Sequence, residues 1–159
     1  MKAQEFDEHE FFTRIAMSGA RVLLIGRRAL VVLGLPMLTA DYDFWVHPED
    51  IGPFNAALES LGFIPNRSVE EARARGRYAL ENDEHVDVLV ARSVQTVEGE
   101  TVAFDGVWER RTLIALSETL HLALPGIDDL IATKRFSARP KDVEDIRLLQ
   151  VLRDTGGGS

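Results

Sequence analysis

The chain contains no cysteine among its 159 residues. Disulfides and thiolate metal sites are therefore excluded, and a cytoplasmic location is the default expectation. It also lacks any run of about eighteen apolar residues, the length a helix needs to cross a bilayer, so no membrane span is expected. Its opening, "MKAQEFDEHEFF", sets Glu5, Asp7, Glu8 and Glu10 ahead of the first aliphatic residue after Ala3, unlike a secretory signal. Positive charge is scarce: 18 Lys and Arg stand against 26 Asp and Glu, for a net charge of −8. Nucleic-acid affinity rests on many phosphate contacts, so this balance argues against an extended nucleic-acid partner. It leaves room for a small anion held by a few local cations. No P-loop, Ser-His-Asp grouping or metal-binding histidine pair is evident.

What is present is an ordinary globular composition, 45% hydrophobic with both signs of charge. The length suits one domain, expected over residues 1–155, with "GGGS" at 156–159 as a flexible tail. Residues 8–18 read as a helix ended by Gly19. "RVLLIG" reads as a short buried strand closed by glycine, followed by about two turns of helix that stop at Gly34 and Pro36. A second strand is expected from Asp41 to Val46 and a helix from Pro53 to Leu61. Residues 66–76 are polar, either a helical excursion or a loop. "RYALEND" and "HVDVLVAR" read as strands, the second with Val86, Val88 and Val90 on one face and Asp87 and Leu89 on the other. The stretch from Thr101 to Pro125 suggests one or two strands. Two helices close the chain, the first over residues 126–136. The other starts at Pro140 and is expected to bury Val143, Ile146, Leu149 and Leu152.

The chemistry concentrates in "LTADYDFWVH". The segment after Asp41 is aromatic and β-branched, suited to a pleated, half-buried surface. An ionised carboxylate in such a place must be paired, metal-bound or neutralised. On a strand, Asp41 and Asp43 share a face, separated by two rises of roughly 3.3 Å each. Unpartnered carboxylates that close push one of the pair toward its neutral form. A divalent cation removes the conflict, and Mg²⁺ favours one or two carboxylates completed by water and substrate phosphates. Asp87 is a third acid in a comparable position. Singly, each acid has an ordinary alternative: Asp41 capping a loop, Asp43 paired with an arginine, Asp87 at an exposed edge. Together they point to a metal site for chemistry at phosphorus.

"LIGRRALVVLGLPMLTADYDFWV" resembles the signature of the polymerase-β-like nucleotidyltransferase superfamily: a strand ending in glycine, a short helix, then Asp-hydrophobic-Asp on the next strand. "HVDVLVA" looks like that superfamily's third-carboxylate strand. "LPGIDDLIATKRFSARPKDVEDIRLL" is similar to the closing helices of small bacterial nucleotidyltransferase-like proteins, including relatives of abortive-infection and toxin–antitoxin enzymes. The resemblance spans residues 20–50 and 80–152. It implies an α/β (α+β) fold, a mixed sheet flanked by helices with further helices at the carboxyl end. It implies a nucleoside triphosphate as substrate, an acceptor hydroxyl of unknown identity, and Mg²⁺ or Mn²⁺ as cofactor. By the same resemblance Asp41 and Asp43 are metal ligands, and Asp87 is a further ligand or the base for the acceptor. Gly26 is the turn where backbone approaches the phosphates, and a helix start there favours anions.

The chain departs from that signature at Arg27, followed by Arg28, where the family usually has glycine or serine. A guanidinium could bind phosphate through paired hydrogen bonds. It could equally fill the triphosphate's space, or bridge to Asp41 or Asp43 and stand in for the metal. Arg28 is either a phosphate contact or a solvated helix residue. Lys134, Arg135, Arg139 and Lys141 form a basic island, with Lys134 the best candidate for the triphosphate and Asp142 and Asp145 as structural partners. His85 shares a strand face with Asp87. Two functions follow as expectations: a metal-dependent nucleotidyltransferase, or a catalytically weak binding protein of that fold that engages a protein partner, as in a toxin–antitoxin pair.

Overall fold

The computed structural model describes residues 6–137 and 139–157. The acidic opening up to Glu5 and the last two residues of the expected tail lie outside the described residues. Helix α1, Glu8–Met17, begins where the Asp7 carboxylate accepts the Glu10 amide, and it buries Phe11, Phe12 and Ile15. Strand β1, Val22–Ile25, runs into α2, Gly26–Val32, and then β2, Tyr42–Val46. Next come α3, Ile51–Glu59, the short β3, Ile64–Pro65, and α4, Val69–Arg75. Strands β4, Arg77–Glu81, and β5, His85–Leu89, complete one sheet in the order β1-β2-β5-β4-β3. Only the β2–β5 pairing is parallel; the others are antiparallel.

The period-2 alternation of the strands divides the sheet's faces. Tyr42, Phe44, Val46, Val86 and Val88 face α1 and α3 in the main core, where the Phe44 ring lies 5.8 Å from Phe11 and 5.7 Å from Phe54. Leu23, Trp45 and Leu89 point to the other face. There Trp45 packs edge-on against Phe104 at 5.5 Å and Phe136 at 5.8 Å. That second layer is built by β6, Ser93–Gln95, paired with β7, Thr101–Ala103, and by α5, Phe104–Glu109. A ribbon of β8, Thr112–Ala115, and β9, His121–Leu124, lies against β1. Helices α6, Ile127–Lys134, and α7, Pro140–Leu152, follow, and Arg153–Gly157 continues as a π turn. Among the described residues no helix is long and apolar enough to cross a membrane.

One open reading is settled and two expectations change. Residues 66–76 are resolved in favour of helix: Ser68 and Glu71 cap each other's amides, and Gly76 ends α4 with φ 77°. The stretch expected to hold one or two strands also contains α5. Its six residues include a glycine, which weakens the helical signal, but Phe104 and Val107 bury one turn apart against Trp45. The buried stripe of α7 is not the expected aliphatic one. Leu149 is buried, Ile146 and Leu152 are half-buried, and Val143 is 57% exposed, while Asp142 and Asp145 are 1% and 0% exposed. The helix presents these acids inward because three cations meet them there.

Candidate active site

The sheet face opposite the main core is covered over Leu23, Trp45 and Leu89. Beyond that cover it opens into a cleft of about 610 Å³, whose lining includes Gly26, Asp41, Asp43, Asp87 and Lys134. Asp43 and Asp87 are register partners on the parallel strands β2 and β5, so their side chains stand side by side on one face. Strand β5 is central, which disposes of an edge position for Asp87. Asp41 lies one residue before β2, at the exposed rim, with its amide donating to Thr39 Oγ1 at 3.1 Å. Burial, then the charges of Asp87 and Asp41, push the Asp43 carboxyl from 3.8 up to about 6, against opposition from Lys134 and Lys141. Among the described residues Asp43 has no ion-pair partner, so the expected alternative of a pairing arginine is not what the fold supplies.

Gly26 sits at the β1–α2 junction with φ 71°, a left-handed conformation that glycine adopts without strain. A Cβ placed there would lie 2.5 Å from Asp43 Oδ2. Glycine at this position therefore makes room for the acid itself.

Arg27 does not reach Asp41 or Asp43. Its guanidinium donates twice to Asp145, Nε to Oδ2 and Nη2 to Oδ1, both at 3.2 Å. Lys134, 6% exposed, donates to the same Oδ2 at 2.9 Å and stands 4.0 Å from Asp142. Asp142 in turn accepts from Arg139 at 2.9 Å and from Ser137 at 2.8 Å. Burial raises the Asp142 carboxyl, but the bonds from Arg139 and Ser137 outweigh it and hold it below the usual range. The cations of the cleft wall are thus fixed from behind by two buried acids on α7.

Arg28 is neither a cleft residue nor a solvated one. It donates to the Thr39 carbonyl at 2.7 Å, pairs with Glu8 at 3.3 Å and lies 4.3 Å above the Tyr42 ring. Its contacts anchor the segment that carries Asp41. His85 joins two acids, its Nε2 2.8 Å from Asp87 and its Nδ1 2.6 Å from Glu81, and these bonds raise its pKa. Sequence reasoning passed over Asn66, Arg67, Arg77 and Ala79, which line the far end of the cleft. Alternation along β4, in register with Asp87, was the available signal for Arg77 and Ala79.

The chain belongs to the family described as "Nucleotidyltransferase of unknown function (DUF6036)", which matches residues 10–155. A search of curated proteins finds no match. Two solved structures share the fold. One is that of the antibiotic-resistance factor ANT(2'')-Ia, at 13% identity and TM-score 0.63, covering 94% of this chain and 84% of that one. The other is the lincosamide antibiotic adenylyltransferase LnuA bound to lincomycin, at 14% identity and TM-score 0.59, covering 92% and 98%. This places the chain in the polymerase-β-like superfamily, with the mixed sheet and closing helices that the resemblance implies.

Proposed function

We propose that the protein is a metal-dependent nucleotidyltransferase that moves a nucleotidyl group from a nucleoside triphosphate to an acceptor hydroxyl. The observation that carries this reading is the side-by-side placement of Asp43 and Asp87 at one cleft, with Asp41 at its rim and Gly26 against Asp43. The donor set is all carboxylate oxygen, which suits Mg²⁺ or Mn²⁺. Among the described residues no group of three or more His, Cys, Asp or Glu side chains is placed to hold a metal ion, so the three acids expected to share a cation do not form a ready-made set: Asp43 and Asp87 stand as a pair and Asp41 lies apart at the rim. The proposed site therefore rests on the pair, since Mg²⁺ takes one or two carboxylates and completes its shell with water and substrate phosphates. The raised Asp43 pKa supports the same fit, since a cation would relieve the crowding of negative charge.

On this reading Asp41 and Asp43 are the principal metal ligands and Asp87 the third acid. When bound, the metal neutralises charge on the triphosphate and on the reacting oxygens. Lys134 and Arg27, held by Asp145, turn positive charge toward the phosphates. The acceptor hydroxyl oxygen bonds to the α-phosphorus as the bond to the bridging oxygen breaks, and pyrophosphate leaves. Asp87 takes the hydroxyl proton. Arg27 leaves the acids clear, which favours turnover over the alternative of a binding protein whose arginine replaces the metal.

Asp41→Ala and Asp43→Ala should each keep the fold and abolish Mg²⁺-dependent triphosphate binding by calorimetry. Unchanged binding in both would overturn the assignment.

A further inference from the structure

The cleft extends past Asp87, away from Gly26 and Lys134, onto the β3–β4 side of the sheet. Its floor there is Ala79, the register partner of Asp87, and its wall is Asn66, Arg67 and Arg77. Arg77 shares the face of Asp87 but lies two residues along β4 from Ala79. Strand spacing and rise put its Cα about 8 Å from that of Asp87. Arg67 is anchored to the backbone of β4, donating from Nη1 to the Arg77 carbonyl at 2.6 Å. Among the described residues neither guanidinium pairs with an acidic side chain, whereas Arg27, Lys134 and Arg139 on the opposite wall all do. In a chain of net charge −8, the cleft lining carries six cationic and four acidic side chains. Two arginines that line the same part of the cleft, one anchored to the other's backbone and neither paired with an acidic side chain among the described residues, offer an anion two donors.

We infer that this half of the cleft is the acceptor subsite, and that the acceptor is anionic, with a phosphate group near the hydroxyl that is modified. The inference rests on the proposed nucleotidyl transfer, which assigns the Gly26 and Lys134 half to the triphosphate and leaves the Asp87 side to the acceptor. Arg77 and Arg67 would grip the phosphate, and Ala79, having no bulk, leaves space for the sugar or other body that links it to the hydroxyl. A cationic acceptor such as an aminoglycoside would meet like charge here.

The test is calorimetric, on protein saturated with Mg²⁺ and a non-hydrolysable ATP analogue. The probes are ribose 5-phosphate, a single-stranded RNA trinucleotide, neutral ribose and an aminoglycoside. One or both phosphorylated probes should bind and ribose should not. Arg77→Gln, an exposed site whose loss leaves the backbone bond of Arg67 in place, should weaken that binding by about tenfold or more. The affinity of the analogue itself should not change. Tighter binding of the trinucleotide assigns the phosphate to a nucleic-acid end, and equal binding assigns it to a small phosphorylated molecule. Arg77-independent binding, binding of ribose alone, or preferred binding of the aminoglycoside would each overturn the inference. Repeating the titration with inorganic phosphate on nucleotide-free protein reads the Arg77 subsite separately, so failure of the analogue to bind counts against nucleotidyl transfer alone.

Discussion

Asp43→Asn should make the metal-free protein more stable at neutral pH, although it removes a residue assigned to the active site. Asp43 is half-buried beside Asp87, with its carboxyl raised from 3.8 to about 6. The sign follows from linkage: the folded state binds this proton more tightly than the unfolded chain. Ionised Asp43 therefore opposes folding above pH 6, and the penalty fades as pH falls through 6 toward 3.8. Raising the carboxyl from 3.8 to about 6 corresponds to about 3 kcal/mol at pH 8. Solvent screening at a half-buried site brings this to about 2 kcal/mol. For a domain of this size that is a rise of about 4–8 °C in Tm. At pH 5 the gain should be roughly half as large, because folded Asp43 is then mostly protonated while unfolded Asp is not. The measurement is thermal unfolding of both proteins in EDTA at pH 8 and pH 5, followed by circular dichroism. A variant no more stable than the parent at pH 8, or a gain identical at both pH values, would refute the electrostatic conflict inferred for this site. Added Mg²⁺ should stabilise the parent and leave the variant nearly unmoved.

Gly26→Ala should cost about 1–3 kcal/mol in chemical denaturation, from the left-handed backbone and the collision with Asp43, and should weaken Mg²⁺-dependent triphosphate binding as well. Asp145→Asn removes the negative charge shared by Arg27 and Lys134 and replaces one of its two accepting oxygens with an amide donor. It should destabilise by about 3 kcal/mol in urea, near the low end for breaking a buried pair, because Arg27 is partly solvated. The triphosphate affinity of any folded Asp145→Asn protein should fall too, and an unchanged value would separate the network from the site.

The sequence by itself determined the sheet's polarity and the spacing of the acids. Val86, Val88 and Val90 alternate with Asp87, so one face had to be core and the other had to carry the carboxylate. Asp43, embedded in "YDFWV", had to share its face with Trp45, and Gly26 marked the turn that lets the chain pass it. Those are local facts, because backbone periodicity is local. Which strands neighbour one another is not local: only the β2–β5 pairing set Asp43 beside Asp87 and turned two separate motifs into one site. The same holds for α7, whose aliphatic pattern suggested an apolar stripe while the fold buried Asp142 and Asp145. Burial of a charge is decided by what meets it, and the cations that meet these two come from Arg27, over a hundred residues earlier, as well as from Lys134 and Arg139 nearby. Arg28, adjacent in sequence to Arg27, diverges from it by one step around α2, so one side chain serves the cleft wall and the other fastens the Asp41 segment to α1.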